Sequence, residues 1–250
     1  MNNSNGQPNK TPNGHFKLST LPREINQAIE KFYEQPIKLD IKEQPHDIRL
    51  TSLTKSEATI LAQLVCAFTP ERSLEIGMAA AGSCVAIATA RKSLGLSAKH
   101  VALDPYQETD AGSLGLCEIQ RSGLDDFVSW IAERSENYLN AAAARGEKFD
   151  LIFIDGGHDI GQTVTDAFSA HETLNEQGVV AFHDSCLFST AAAVRYLMLE
   201  RGYSLIPLPS DSNIKTLGRG VRHLNQLGLW YVTRVVPRIH GSLVALRKNS

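Results

Sequence analysis

Short apolar runs alternate with longer amphipathic stretches between residues 73 and 183, and this alternation restricts the fold more than any other feature of the sequence. The apolar runs have the length of strands buried on both faces, and the stretches between them are long enough for crossover helices. We predict strands at residues 73–76, 100–103, 126–131, 151–154 and 179–183. We predict helices near residues 83–94, 136–145 and 162–174. The pattern therefore indicates an α/β fold with a doubly wound, mainly parallel, Rossmann-like sheet and helices on both of its faces.

Two further extended runs, at residues 203–208 and 229–235, could complete a seven-stranded sheet. A basic, glycine-containing loop separates them. With 250 residues and 42% hydrophobic content, the chain fits one α/β domain with added segments. The same content excludes a globally disordered or fibrous protein.

The segments around the alternating region differ from it in composition. The predicted organisation is a disordered leader at residues 1–15, an N-terminal helix and lid at 16–50, the main domain at 51–235 and a basic C-terminal tail at 236–250. Thr54 and Glu57 form the T-x-x-E pattern of a capping box. This pattern predicts a helix of about four turns at the start of the main domain.

Charge is distributed unevenly along the chain, although the net charge is only −2. The residues after Asp211 include seven basic side chains and no acidic one. We interpret this basic segment as one that lies on the acidic body or on a second subunit. The alternative is capture of an anionic substrate or of nucleic acid. Because the segment lacks the stripe of regularly alternating basic and aromatic residues that is typical of a nucleic-acid groove, we expect no nucleic-acid partner.

The sequence also bears on the compartment and the assembly. Cys66, Cys84, Cys117 and Cys186 are isolated among apolar or small neighbours, so we expect four reduced thiols. The N-terminus lacks the layout of a secretory signal, and no apolar run reaches membrane-spanning length. We therefore predict a cytoplasmic protein with no membrane partner. A homodimer is the expected assembly, because homodimers are the commonest oligomers.

A glycine-rich turn follows the first predicted strand and leads directly into a helix. Gly77, Gly82 and Ser83 belong to the pattern E-x-G-x-x-x-x-G-S, which differs from the dinucleotide fingerprint G-x-G-x-x-G. Asp104 lies 27 residues after Gly77, rather than the ~20 expected in NAD-binding proteins. An acid at that position can still bind ribose hydroxyls. The turn thus favours a ligand at the switch point of the sheet, with a tight turn that binds nothing as the alternative.

Acidic residues follow two neighbouring predicted strands. Asp155 and Asp184 both stand at carboxyl ends, where strands roughly 4.8 Å apart bring side chains together. Two carboxylates offer the oxygen ligands that Mg²⁺ prefers, and His158 in the same loop could accept a proton near neutral pH. Helix capping by the two acids and a solvent-exposed histidine are the alternatives.

These residues together resemble class I S-adenosylmethionine-dependent methyltransferases, and within them the small-molecule O-methyltransferases related to the catechol and macrolide-sugar enzymes. The resemblance spans about residues 52–235. The segments that carry it are Leu74-Glu75-Ile76-Gly77, Gly82-Ser83, Asp104, Ser135, Ile154-Asp155-Gly156-Gly157-His158 and His183-Asp184.

The resemblance implies a role for each residue of a cofactor site. Glu75 and Gly77 would shape the pocket for the methionine part of S-adenosylmethionine, and Ser83 would hold its carboxylate. Asp104 would bind the ribose hydroxyls, and Ser135 would lie near the adenine.

The same resemblance implies a metal site and a general base. Asp155 and Asp184 would bind Mg²⁺, with Asp155 also counted among the catalytic and cofactor-contacting residues, and His158 would be the general base. His183 would be a further metal ligand, although several metal-dependent relatives have a second acid at this position. Ala81 stands where these relatives commonly have glycine.

The implied function is transfer of a methyl group to a hydroxyl of a small molecule, such as a sugar or phenol of a natural product. Two alternatives stay open: a metal-independent methyltransferase that uses His158 alone, and a non-catalytic S-adenosylmethionine-binding module. Lys215, Arg219 and Arg222 suggest that the acceptor carries an anionic group. The acceptor itself is not identified by the sequence.

Overall fold

The computed structural model describes residues 18–208 and 242–250. Its strands are β1 (Ile37–Leu39), β2 (Pro45–Asp47), β3 (Ser73–Ile76), β4 (His100–Leu103), β5 (Val128–Ile131), β6 (Phe149–Ile154), β7 (Leu174–Phe182), β8 (Tyr203–Leu205) and β9 (Val244–Lys248). Its helices are α1 (Arg23–Glu34), α2 (Lys55–Phe68), α3 (Gly82–Ser93), α4 (Leu114–Arg121), α5 (Ser135–Ala144), α6 (Ile160–Thr173) and α7 (Phe188–Glu200). No helix within the described ranges has the length and apolar character needed to cross a lipid bilayer.

Seven strands form one central sheet in the order β5-β4-β3-β6-β7-β9-β8. The strands from β5 to β7 are parallel, and β9 runs antiparallel to both of its neighbours. The chain runs outward in both directions from β3 and β6, so the switch point lies between these two strands. The predicted α/β, doubly wound, mainly parallel sheet of seven strands is therefore confirmed.

Helices cover both faces of this sheet, which explains why residues 151–154 and 179–182 of its central strands are continuously apolar. On one face, residues of α5, α6 and α7 such as Leu139, Ala167 and Val194 pack on the strands. On the other face, α1, α2 and α3 contribute residues such as Ile25 and Leu61. A strand between two helical layers buries both rows of its side chains, so its sequence does not alternate.

The helix predicted from the capping box is α2. The Thr54 hydroxyl accepts a hydrogen bond from the Glu57 amide, and the Glu57 carboxylate accepts one from the Thr54 amide at 2.8 Å. These reciprocal bonds satisfy donors at the helix start. The helix ends at Phe68, before Thr69 in the left-handed conformation.

The segment before α2 holds a helix and a hairpin. Helix α1 buries Ile25, Ile29 and Phe32, which follow the predicted helical spacing. Where the sequence indicated an irregular lid, β1 and β2 form an antiparallel hairpin. Asp40 closes its turn by accepting hydrogen bonds from two backbone amides. The predicted leader at residues 1–15 lies outside the described residues.

The end of the chain differs from the prediction. Residues 236–250 were expected to be a basic tail, yet Val244–Lys248 is strand β9, which lies between β7 and β8. Residues 243–246 are fully buried, and only the last two residues of the strand, Arg247 and Lys248, are basic. Because the apolar run is short and lies next to these basic residues, the charge pattern indicated a tail rather than a strand. The strand predicted at 229–235 lies outside the described residues, and the one predicted at 203–208 is β8 at the edge of the sheet.

Candidate active site

A cavity of about 420 Å³ lies at the carboxyl ends of β3 to β6, at the switch point of the sheet. Its wall includes Gly77, Asp104, Ser135, Asp155 and Asp166, which come from different strand ends and helices. Ligands of open α/β sheets bind at this place, because loops from the switch point separate there. Its volume is within the range of small-molecule sites.

The turn after β3 brings two strand ends into close approach. Gly77 has φ +84°, and a Cβ at this position would lie 2.2 Å from the backbone oxygen of Asp155. The Gly77 amide donates to Leu103 at 2.9 Å, and the Asp155 amide donates to Ile76 at 2.9 Å. Only glycine fits here, because both the backbone angle and the space exclude a side chain.

Asp104 fixes this turn through hydrogen bonds to its carboxylate. One carboxylate oxygen accepts hydrogen bonds from the amides of Met78 and Ala79 and from the Gln107 side chain, and the other accepts from the Tyr106 amide. A carboxylate has about four acceptor sites, so protein donors already use most of its capacity. Asp104 lines the cavity, and its observed partners make it a fixed part of the wall.

Glu75 and Ser83 are absent from the cavity wall. The Glu75 side chain is fully buried beneath α3, 3.6 Å from Nε2 of His100, and neither carboxylate oxygen has a hydrogen-bond partner among the described residues. Ser83 is buried in the first turn of α3. Both side chains are buried outside this wall, and their roles in shaping the methionine pocket and holding the cofactor carboxylate stay predictions.

Another part of the wall is a polar network between α5 and α6. The Ser135 hydroxyl donates to Oδ1 of Asp166 at 2.6 Å, and the Gln162 side-chain amide donates to the same oxygen at 2.9 Å. Burial raises the pKa of Asp166, against the lowering effect of these two hydrogen bonds. Ser135 was predicted as a site residue from the resemblance, whereas Asp166 was not. An acid beside Ala167 and Ala170 on the apolar face of a helix is nevertheless a signal of a buried polar role.

The acidic cluster, defined as Asp155, His158 and Asp184, lies next to the cavity. One potential ligand atom from each of the three residues lies within 4.8 Å of the others. Nε2 of His158 lies 3.1 Å from Oδ2 of Asp184. The structure therefore brings together the three residues that the sequence placed at neighbouring strand ends. Their oxygen and imidazole donors fit a divalent cation with open positions.

His183 is turned toward protein groups rather than toward an open ligand position. Its Nδ1 lies 3.1 Å from Oδ1 of Asp155, and its Nε2 lies 2.9 Å from the Ser242 hydroxyl and 3.5 Å from Glu57. Both ring nitrogens are thus engaged by protein groups, and the role of His183 as a metal ligand stays a prediction. His183 directly follows the buried end of β7, and its ring pairs there with Asp155 and Glu57.

Electrostatics around His183 follow from this arrangement. Burial would lower the pKa of His183, but hydrogen bonds to Asp155, Asp184 and Glu57 outweigh burial and raise the pKa to about 12. Burial raises the pKa of Asp155, whereas the hydrogen bond from His183 lowers the pKa of Asp184. The imidazolium of His183 therefore offsets part of the negative charge of the cluster.

Glu57 and Ser242 are site residues that sequence reasoning missed. The Ser242 amide and hydroxyl both donate to Oε1 of Glu57, at 2.8 and 2.9 Å. Burial would raise the pKa of Glu57, but hydrogen bonds from His183, Ser242 and Thr54 hold it well below its usual range. The capping box explained Glu57 as a local feature, and no local pattern marks a contact with a residue 185 positions away.

Comparisons with known proteins agree with this geometry. Residues 74–185 match the sequence model of a methyltransferase-domain family. This range extends from β3 to the segment after Asp184, so it contains the glycine turn and the acidic cluster. Among curated protein sequences, none matches the chain at a significant level.

Solved structures with a similar fold are methyltransferases. The S-adenosylhomocysteine-bound methyltransferase PaMTH1 of Podospora anserina is 16% identical, with coverage of 92% of this chain and 89% of that chain and a TM-score of 0.56. TomG of Streptomyces achromogenes, an O-methyltransferase of tomaymycin synthesis solved with S-adenosylmethionine, is 15% identical, with coverage of 93% and 92% and a TM-score of 0.51. An O-methyltransferase of Bacillus cereus in complex with S-adenosylhomocysteine is 16% identical, with coverage of 93% of both chains and a TM-score of 0.51.

Identities this low establish the fold alone, and the family match covers residues 74–185. The resemblance found in the sequence is confirmed at this level. Residues 74–185 match a methyltransferase-domain family, and the chain has the fold of these methyltransferases.

Proposed function

We propose that this chain is an S-adenosylmethionine-dependent O-methyltransferase that acts on a hydroxyl group of a small molecule. The observation that carries this proposal is the double position of Asp155, which lines the cavity and also belongs to the acidic cluster. A cofactor in the cavity and an acceptor at the cluster would meet at this residue. The rate of methyl transfer depends strongly on such an alignment of the methyl donor with the acceptor hydroxyl.

The cavity supports the cofactor part of the proposal. Its wall combines apolar side chains such as Ile76 and Leu103 with polar ones such as Ser135 and Asp166. Bound S-adenosylmethionine would supply a methyl group already activated by its positively charged sulfur. The turn at Gly77 and the carboxylate of Asp104 fix the backbone that this ligand would contact.

His158 is the proposed general base. Half of its side chain is exposed, so an acceptor can reach the ring from solvent. Its Nε2 faces Asp184 at 3.1 Å, and a donor bond in this direction leaves Nδ1 free to accept a proton. An oriented imidazole beside the acceptor hydroxyl would remove its proton as the methyl group is transferred.

Asp155 and Asp184 are the proposed ligands of a divalent cation, for which Mg²⁺ is the best match to two carboxylates. Bound there, the cation would make the acceptor hydroxyl easier to deprotonate. Asp155 would then orient the acceptor and line the cofactor cavity at the same time.

A second mechanism, without metal, is favoured by the position of His183. Its ring already pairs with Asp155, and His158 already pairs with Asp184. The imidazolium of His183 could therefore offset part of the carboxylate charge without a cation. In this mechanism, His158 alone would activate the acceptor.

For the acceptor, we propose a sugar or a phenol of a natural product. TomG, whose fold is similar, belongs to tomaymycin synthesis, which supports a natural-product substrate. The earlier hypothesis of an anionic acceptor rests on basic residues that lie outside the described part of the chain.

Methyl transfer from labelled S-adenosylmethionine to a panel of sugars and phenols tests the proposal. The assay is run once with Mg²⁺ and once with a chelator. Transfer that requires Mg²⁺ supports the metal-assisted mechanism, and equal transfer under both conditions supports His158 acting alone. If S-adenosylmethionine neither binds nor donates its methyl group, the proposal is rejected.

A further inference from the structure

Asp166 carries a buried carboxylate oxygen that no protein group satisfies. The residue lies on α6 and is only 1% exposed, and it lines the cavity. Its Oδ2 atom is buried and has no hydrogen-bond partner among the described residues. Such an atom is costly, because an unsatisfied buried acceptor loses its hydration without compensation.

The donors around Asp166 are all committed to its other oxygen, Oδ1. The Ser135 hydroxyl and the Gln162 amide nitrogen both donate to it. The orientation of Gln162 is fixed, because its carbonyl oxygen accepts a hydrogen bond from Arg134 at 3.0 Å. No neighbouring donor within the described network is therefore left for Oδ2.

The position of Oδ2 is next to Gly156 in the cavity wall. A Cβ on Gly156 would lie 3.6 Å from this oxygen. Ser135, for which the family resemblance implies a position near the adenine of the cofactor, is hydrogen-bonded to the same carboxylate. The unsatisfied oxygen thus belongs to the part of the cavity expected to receive the purine.

We propose that Asp166 accepts a hydrogen bond from the exocyclic amino group of the cofactor's adenine and so selects adenine over purines that lack this donor. This inference rests on the proposed function, since it takes S-adenosylmethionine as the ligand of the cavity. In S-inosylhomocysteine, the deaminated analogue of S-adenosylhomocysteine, a carbonyl oxygen replaces the amino group. This carbonyl oxygen and Oδ2 of Asp166 are both acceptors, and they would then face each other in the buried wall of the cavity.

Glu136 is the competing acid in the same wall. Its carboxylate is held by Arg134, and it also accepts a hydrogen bond from Gln162 at 3.3 Å. Because Glu136 already has partners whereas Oδ2 of Asp166 has none, Asp166 is the better candidate for the amino group.

Calorimetric titrations with the two homocysteine nucleosides test the proposal. We expect the wild-type chain to bind S-adenosylhomocysteine about tenfold or more tightly than S-inosylhomocysteine. In Asp166→Asn, the side-chain oxygen can keep the bonds from Ser135 and Gln162, while an N–H replaces Oδ2. This donor favours the carbonyl of the inosine analogue. The ratio of the affinity for S-adenosylhomocysteine to that for S-inosylhomocysteine should therefore fall to about one or below.

Two further variants sharpen the test. Glu136→Gln should keep the preference for adenine, and so should Glu172→Gln, a matched change of an exposed acid on the same helix. Loss of the preference in Glu136→Gln, together with its retention in Asp166→Asn, would assign the recognition to Glu136 and overturn the inference.

One measurement does not depend on the folding of any variant. S-adenosylhomocysteine dimethylated at the exocyclic nitrogen has no donor there, and we expect the wild type to bind it at least about tenfold more weakly than the parent compound. Equal wild-type affinity for S-adenosylhomocysteine and the inosine analogue overturns the inference but leaves the proposed function standing. No binding of S-adenosylhomocysteine overturns both.

Discussion

The imidazole of His183 faces the carboxylate of Asp155 across the ends of the neighbouring strands β7 and β6, with Nδ1 3.1 Å from Oδ1. On its other side, the same ring faces Glu57 and Ser242. The acidic cluster is therefore connected to the first turn of α2 and to the start of β9. Three distant parts of the chain meet at one charged ring.

His183 should make stability depend on pH in the absence of metal. The pKa of its ring is raised to about 12 by its acidic partners. A raised folded-state pKa gives stability that is fully present below the unfolded value of about 6.5 and is lost as pH rises toward the folded value. In a chelator, the free energy of unfolding should fall from about pH 7 to pH 10. Urea denaturation should show a weaker fall in His183→Gln, and equal slopes in the two proteins would contradict the assignment.

Glu57 should stabilise the fold because it connects the start of α2 with His183 and with Ser242, which precedes β9. Glu57→Gln keeps the shape but weakens the bonds to His183 and Ser242, so we expect a loss of about 1–3 kcal/mol in the free energy of unfolding. Glu30→Gln is the matched control, because Glu30 forms an exposed ion pair with Lys55. The control should change stability by less than about 0.5 kcal/mol. A Glu57 variant as stable as this control would show that the network contributes nothing.

Gly77→Ala should be far more damaging than a glycine substitution with open space. The new Cβ would collide with the backbone of Asp155, and the positive φ adds strain. We expect a loss of at least about 2–3 kcal/mol, measured by urea denaturation. Gly202 has a similar φ of +72° but nothing within 4 Å, so Gly202→Ala should cost only about 1–2 kcal/mol. Similar losses in the two variants would mean that the close approach to Asp155 does not matter.

His158 and Asp155 should separate catalysis from cofactor binding. His158 is outside the cavity wall, so His158→Ala should lower turnover about 100-fold or more and keep the affinity for S-adenosylhomocysteine. Asp155 is part of the wall, so Asp155→Ala should weaken both. Initial rates and calorimetry measure the two effects. Wild-type turnover in His158→Ala would rule out its role as base.

Local patterns predicted the central part of the fold well. Burial on both faces makes residues 151–154 of β6 and 179–182 of β7 continuously apolar, and the capping box at Thr54 marks the start of α2. Glycine and acidic residues at strand ends marked the cavity, because parallel strands bring their carboxyl ends to one edge.

What the sequence did not predict depends on contacts between distant residues. Strand β9 is short and ends in basic residues, so only its pairing with β7 and β8 identifies it. The contacts of Glu57 with His183 and Ser242, and of Asp166 with Ser135, connect different elements. No local periodicity reports such contacts.

The cavity at the switch point should bind the cofactor, and calorimetric titration of S-adenosylhomocysteine into the wild-type chain measures this binding. We expect one site with a Kd in about the micromolar range. Binding should be retained in a chelator, because the cavity lies beside the proposed cation site rather than around it. Absence of binding with and without the chelator would show that the cavity is not a cofactor site.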